Sequence, residues 1–139
     1  MKLLIVEDDP LVGPAMKAVL QSAGHEAVGP VRGAAKALRI VERERPGLAL
    51  VDYNLSGGEN GLSLIRRLRE RHGVPALLVT GYDHRGDEAR GMALGCLVKP
   101  FPPEALTQAV AAAEQVLAGL RPSHPPAALV LFRTPPLAA

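Results

Sequence analysis

Along the chain, short apolar runs alternate with longer stretches in which hydrophobic residues recur every third or fourth position. The short runs predict strands at Lys2 to Val6, Glu26 to Val31, Leu48 to Val51, Ala76 to Thr80 and Cys96 to Val98. Between them, Leu11, Ala15, Val19 and Val12, Met16, Leu20 mark a first helix, and Ala34 to Glu44 a second with Ala37, Leu38 and Val41 turned inward. A third helix is predicted over Leu62 to Arg71. A fourth, near Gly86 to Leu94, holds Gly86 and Gly91 and is expected to be short and mobile, since an interior glycine costs a helix about 1 kcal/mol relative to alanine. The fifth opens on Pro102 and Pro103, which suit a helix's first turn, and runs to about Leu120 with Leu106, Val110, Ala113 and Leu117 on one side. Such alternation predicts an α/β protein: a doubly wound (βα)5 unit with a five-stranded parallel sheet.

Beyond Leu120 the composition changes. The tail "RPSHPPAALVLFRTPPLAA" has five prolines in nineteen residues. The chain is therefore read as one domain over residues 1–120 and a proline-rich tail over 121–139. Within the tail, "AALVLF" is apolar enough to pair as an edge strand or dock in a groove; the other reading is a segment lying on its own domain or loosely held, as chain ends often are.

Composition narrows the function classes. With 139 residues and 47% hydrophobic content the chain can bury a proper core. Its net charge of +2 comes from 16 basic and 14 acidic residues scattered along the chain, so no concentrated basic face invites nucleic acid. The arginines of "RRLRERHG" fit an exposed helix face, and the four histidines have no metal-site spacing. No apolar run reaches membrane-span length and no signal-peptide layout is present, so a cytoplasmic protein without a membrane partner is expected. The lone Cys96 excludes an internal disulfide and reads as a small core residue.

Candidate chemistry collects at the strand ends, where ligands bind in sheets of this kind. The first strand ends in Glu7-Asp8-Asp9, the third in Asp52, the fourth in Thr80, and the fifth in Lys99-Pro100. Asp9 before Pro10 is expected to cap the first helix. In the flavodoxin-like order 2-1-3-4-5 the first and third strands are neighbours, which brings Glu7 and Asp8 beside Asp52. Three such carboxylates require compensation. The Lys99 ammonium and a divalent cation such as Mg2+, which takes hard oxygen ligands and keeps room for a phosphate oxygen, would supply it. Asp52 is then placed to be a nucleophile towards phosphorus. Thr80 and Lys99 would stabilise charge on the transferring oxygens.

Four motifs in order, "LLIVEDDP", "LVDYNL", "LLVTGY" and "LVKPF", resemble the receiver domain of two-component response regulators over about residues 1–119. The resemblance implies that Asp52 accepts phosphate from a histidine kinase or phosphotransfer protein. It also implies that Glu7 and Asp8 hold Mg2+ with Asp52 and the backbone carbonyl of Asn54, that Thr80 and Lys99 bind the phosphoryl group, and that the Lys99–Pro100 peptide is cis.

Two positions depart from the commonest receiver pattern. The loop from Asp52 to Gly61 is one residue longer, with Gly57-Gly58 inside it, and Cys96 stands where an aromatic residue usually precedes the lysine by three places. The missing aromatic and "LVTGY" resemble the receiver subfamily named for its Phe-Ala-Thr-Gly-Tyr motif. Its members are often stand-alone receivers or receivers of stress-response regulators. Tyr82 is accordingly expected to take over part of the switch, with the order of residues 81–94 changing on phosphorylation. The resulting expectation is a single-domain response regulator that switches protein–protein interactions with a downstream protein the sequence does not name, leaves a homodimer open, and is no turnover enzyme. Two alternatives stand beside it: a phosphate-independent scaffold, which the intact Asp52, Thr80 and Lys99 argue against, and an aspartyl-phosphate phosphatase, for which there is no room for a cap.

Overall fold

The computed structural model describes residues 1–81 and 88–132. Its elements run β1 (Lys2–Val6), α1 (Val12–Ser22), β2 (Glu26–Val31), α2 (Ala34–Glu44), β3 (Leu48–Asp52), α3 (Gly61–His72), β4 (Ala76–Thr80), β5 (Gly95–Val98), α4 (Pro103–Leu117) and β6 (Leu129–Leu131). The sheet order is β2-β1-β3-β4-β5-β6. The first five strands are parallel, in the order expected.

Both faces of the sheet are covered, which is why its strands read as continuous apolar runs rather than alternating ones. Leu3, Ile5, Leu48, Leu50, Leu77, Val79 and Leu97 pack on one side with Met16 and Leu20 of α1 and Leu106, Ala109, Val110 and Ala113 of α4. Leu4, Val6, Ala49, Val51, Leu78 and Cys96 face the other way, against α2 and α3. Each fully buried leucine contributes about 1.5–3 kcal/mol. Together these two layers fix the strand ends that carry the polar residues.

Three expectations change. The sheet has six strands, because Leu129–Leu131 of the tail pairs antiparallel with β5, Cys96 opposite Val130. The edge strand is realised at Leu129–Leu131, and it lays the tail on its own domain; residues 133–139 lie outside the described residues. Gly95 admits this strand: a Cβ there would come within 2.5 Å of the Val130 carbonyl oxygen. Phe132 continues the tail into the core beside α3, donating its N–H to the Leu94 carbonyl at 2.9 Å and lying under the Arg90 guanidinium.

The start of α1 also differs. Its first helical residue is Val12 and its N-cap position is Leu11, not Asp9. Asp9 instead caps the preceding turn, accepting from the N–H groups of Leu11 at 2.8 Å and Val12 at 3.1 Å, which hold its carboxyl below the usual range. The buried stripe is Gly13, Met16 and Leu20, and Leu11 is 81% exposed. The expected fourth helix falls partly outside the described residues; of its span, residues 88 and 89 are helical and 90–94 turn back towards β5.

Candidate functional site

Neighbouring strands bring the polar residues to one edge. In β1 and β3, Val6 pairs with Val51, so Glu7 and Asp52 follow side by side. Asp52 is itself the last residue of β3, opposite Val79 of β4, with Thr80 next. Thr80 pairs with Val98, and its carbonyl accepts the Lys99 N–H at 2.8 Å. Glu7 and Thr80 are almost wholly buried, and Asp52 is only 9% exposed. The chain must leave β3 sharply to keep this edge open. Gly61 permits that by lying against the strand end, where a Cβ would sit 2.1 Å from the Asp52 carbonyl oxygen.

Lys99 reaches into the acids. Its Nζ stands 2.7 Å from Glu7 Oε1 and 3.6 Å from Asp52 Oδ1. One cation facing two buried carboxylates leaves an excess of negative charge. Burial first, then the hydrogen bond and charge of Glu7, push the Asp52 carboxyl up to about 7 against the pull of Lys99.

Asp8 is placed differently. Its carboxylate accepts a short hydrogen bond from the Ser56 hydroxyl and pairs with Arg32, whose Nε lies 3.4 Å from the same oxygen. With Glu7 turned to Lys99 and Asp8 to Ser56 and Arg32, no three ligating side chains among the described residues already converge as a metal cage. The donors nonetheless fit a hard divalent cation. They are all oxygens, and Glu7 and Asp52 are two buried carboxylates facing the single ammonium of Lys99, a charge excess that a cation would offset. Asn54 lies two residues beyond Asp52, in an exposed loop closed by an isolated bridge to Asn60.

Of the expected switch residues, Cys96 is a buried core residue on β5, 1% exposed. The Lys99–Pro100 peptide is cis. Tyr82 lies outside the described residues. Arg32 and Ser56 escaped the sequence reading, although Arg32 directly follows a strand end on the same edge as the acids.

Residues 3–111 match the model of the response regulator receiver domain. The chain belongs to that family. Among the receiver's curated relatives, the phyllosphere-induced regulator PhyR of Methylorubrum extorquens is 34% identical over 106 residues, covering 73% of this chain and 39% of that protein. The activated receiver domain of Klebsiella pneumoniae RstA superposes with a TM-score of 0.72 at 32% identity, covering 80% of this chain and 96% of that one. An anti-anti-sigma factor, PhyR of Bartonella quintana, gives a TM-score of 0.66 at 25% identity over 74% of this chain and 43% of that one. The receiver thus spans less than half the length of these two PhyR relatives, and β6 lies beyond the matched residues 3–111.

Proposed function

We propose that Asp52 accepts a phosphoryl group from a histidine kinase or phosphotransfer protein, and that its occupancy changes which protein the receiver binds. The single observation that carries this reading is the setting of Asp52: a carboxylate at a strand end, nearly buried, 3.6 Å from Lys99 and crowded by Glu7. A buried acid so placed destabilises the resting fold, and a nucleophilic role accounts for it.

In the transfer, a lone pair on an Asp52 carboxylate oxygen forms the new O–P bond. The P–N bond of the donor phosphohistidine breaks, and its electron pair returns to the imidazole nitrogen. Lys99, held on Thr80 through its own N–H, offers an ammonium to the transferring oxygens, and the Thr80 hydroxyl offers a donor. Glu7, Asp8, Asp52 and the Asn54 carbonyl would hold a divalent cation such as Mg2+, which would supply charge neutralisation at those oxygens. Attack of water on phosphorus later returns the free carboxylate and inorganic phosphate. The receiver so promotes its own phosphorylation and dephosphorylation and turns over no outside phosphate ester.

Output through protein contact is supported by the PhyR relatives, one of which is an anti-anti-sigma factor. A histidine kinase or phosphotransfer protein as donor would place this chemistry in the cytoplasm. Incubation with a phosphorylated histidine kinase tests the reading: label moves to the native chain and not to Asp52→Asn. Equal labelling of the two would refute it.

A further inference from the structure

One oxygen of Asp8 ties three loops together. Its Oδ1 accepts from the Ser56 hydroxyl and pairs with Arg32 Nε at 3.4 Å, while Arg32 Nη2 reaches the Asp8 carbonyl oxygen at 3.4 Å. Arg32 directly follows β2, and Ser56 stands in the loop between β3 and α3. These two loops are also joined to each other. The Ser56 N–H donates to the Arg32 carbonyl at 2.9 Å, and Gly33 and Ser56 form an isolated parallel bridge.

We propose that Arg32 and Ser56 form a latch that competes with a divalent cation for the Asp8 carboxylate, so that filling the acidic site loosens the β2–α2 and β3–α3 loops, as a joined pair, from the β1–α1 loop that carries Asp8. The inference rests on the metal site argued above and adds its regulation. An oxygen engaged by a hydroxyl and a guanidinium has fewer lone-pair directions for a cation, and the guanidinium repels one approaching from the same side. Coupling runs both ways: whatever holds the latch weakens the cation, and the cation weakens the latch by the same factor. The latch is displaceable, because the side chains of Arg32 and Asp8 are 66% and 43% exposed and such pairs are weak. Thr80 and Lys99 sit on the β4–β5 side of Asp52, so the latch would carry occupancy to the opposite, β2 side of the site.

Calorimetric titration of the full chain with Mg2+ tests this. Arg32→Gln and Ser56→Ala should each tighten Mg2+ by about two- to five-fold, the worth of an exposed pair. Ser56→Ala changes no charge, so tightening there reports the freed oxygen rather than the field. Arg32→Lys should stay nearer the native value, and the gain in Arg32→Gln should shrink as salt rises, which a packing defect would not do. In the native chain the amide resonances of Gly33 and Ser56 should shift together as Mg2+ is added. Asp8→Asn separates the two ideas. If it leaves Mg2+ affinity unchanged, the metal-site reading itself fails. If it weakens Mg2+ while Arg32→Gln and Ser56→Ala bind no tighter than native, the latch alone is overturned.

Discussion

Lys99 Nζ lies 2.7 Å from Glu7 Oε1, a carboxylate ninety-two positions earlier in the chain and only 2% exposed. The ion pair joins the ends of β1 and β5 across β3 and β4, and it sets the charge balance of everything between them. A buried pair of this kind is costly to break from one side, because the remaining charge is left without a partner.

Lys99→Met should therefore destabilise the metal-free protein by about 1–3 kcal/mol at pH 8, less than the roughly 3–5 kcal/mol of a fully buried pair because Lys99 keeps some solvent. The loss should shrink at pH 5, where Asp52, titrating near 7, is already protonated and one fewer carboxylate is left without a partner. Urea unfolding at the two pH values measures the difference, and an equal loss at both would count against a charge origin.

Asp52→Asn should act in the opposite direction. The Asp52 carboxyl titrates near 7 in the fold against 3.8 for an ordinary aspartate, so the native state binds the proton more tightly. Its contribution to stability is fully present below pH 4 and is lost as pH rises through about 7. With a chelator present, the native chain should lose stability across that window, and Asp52→Asn should be the more stable by about 1–3 kcal/mol at pH 8 and no more stable at pH 4. Divalent cations should close the gap at pH 8. Parallel pH profiles for the two chains would contradict the assignment of the raised pKa to Asp52.

Gly95→Ala tests the sixth strand. The added Cβ would meet the Val130 carbonyl oxygen at 2.5 Å, so β6 must move away. A cost of about 1–3 kcal/mol is expected. The Val98 N–H, which donates to the Ala128 carbonyl at 2.9 Å, and the Phe132 N–H should lose protection in hydrogen exchange, while the β1 and β3 amides keep theirs. Retained protection at Val98 and Phe132 would show that the tail strand does not depend on this glycine.

The parallel sheet was legible because its strands are buried on both faces and therefore appear as unbroken apolar runs. The site was legible because Glu7, Asp52, Thr80 and Lys99 are polar residues placed directly after such runs, where a parallel sheet gathers them. β6 was harder to assign: three residues in a proline-rich tail carry no period, and only their register against Gly95 to Leu97 makes them a strand. Leu11 has helical spacing with Ala15 and Val19, yet the buried stripe of α1 is Gly13, Met16 and Leu20, and Leu11 stands at the N-cap outside it. Ser56 left no pattern, and Arg32 only its place directly after β2. Their role comes from two loops meeting over Asp8, a long-range contact that local periodicity does not encode.

The most direct test of the account is the intact mass of the chain after incubation with Mg2+ and a small-molecule phosphodonor, for the native protein and for Asp52→Asn. The account predicts a gain of one phosphoryl group in the native chain, lost on chelation of the metal and absent in Asp52→Asn. No gain under conditions that label another receiver, or an undiminished gain in Asp52→Asn, would contradict it.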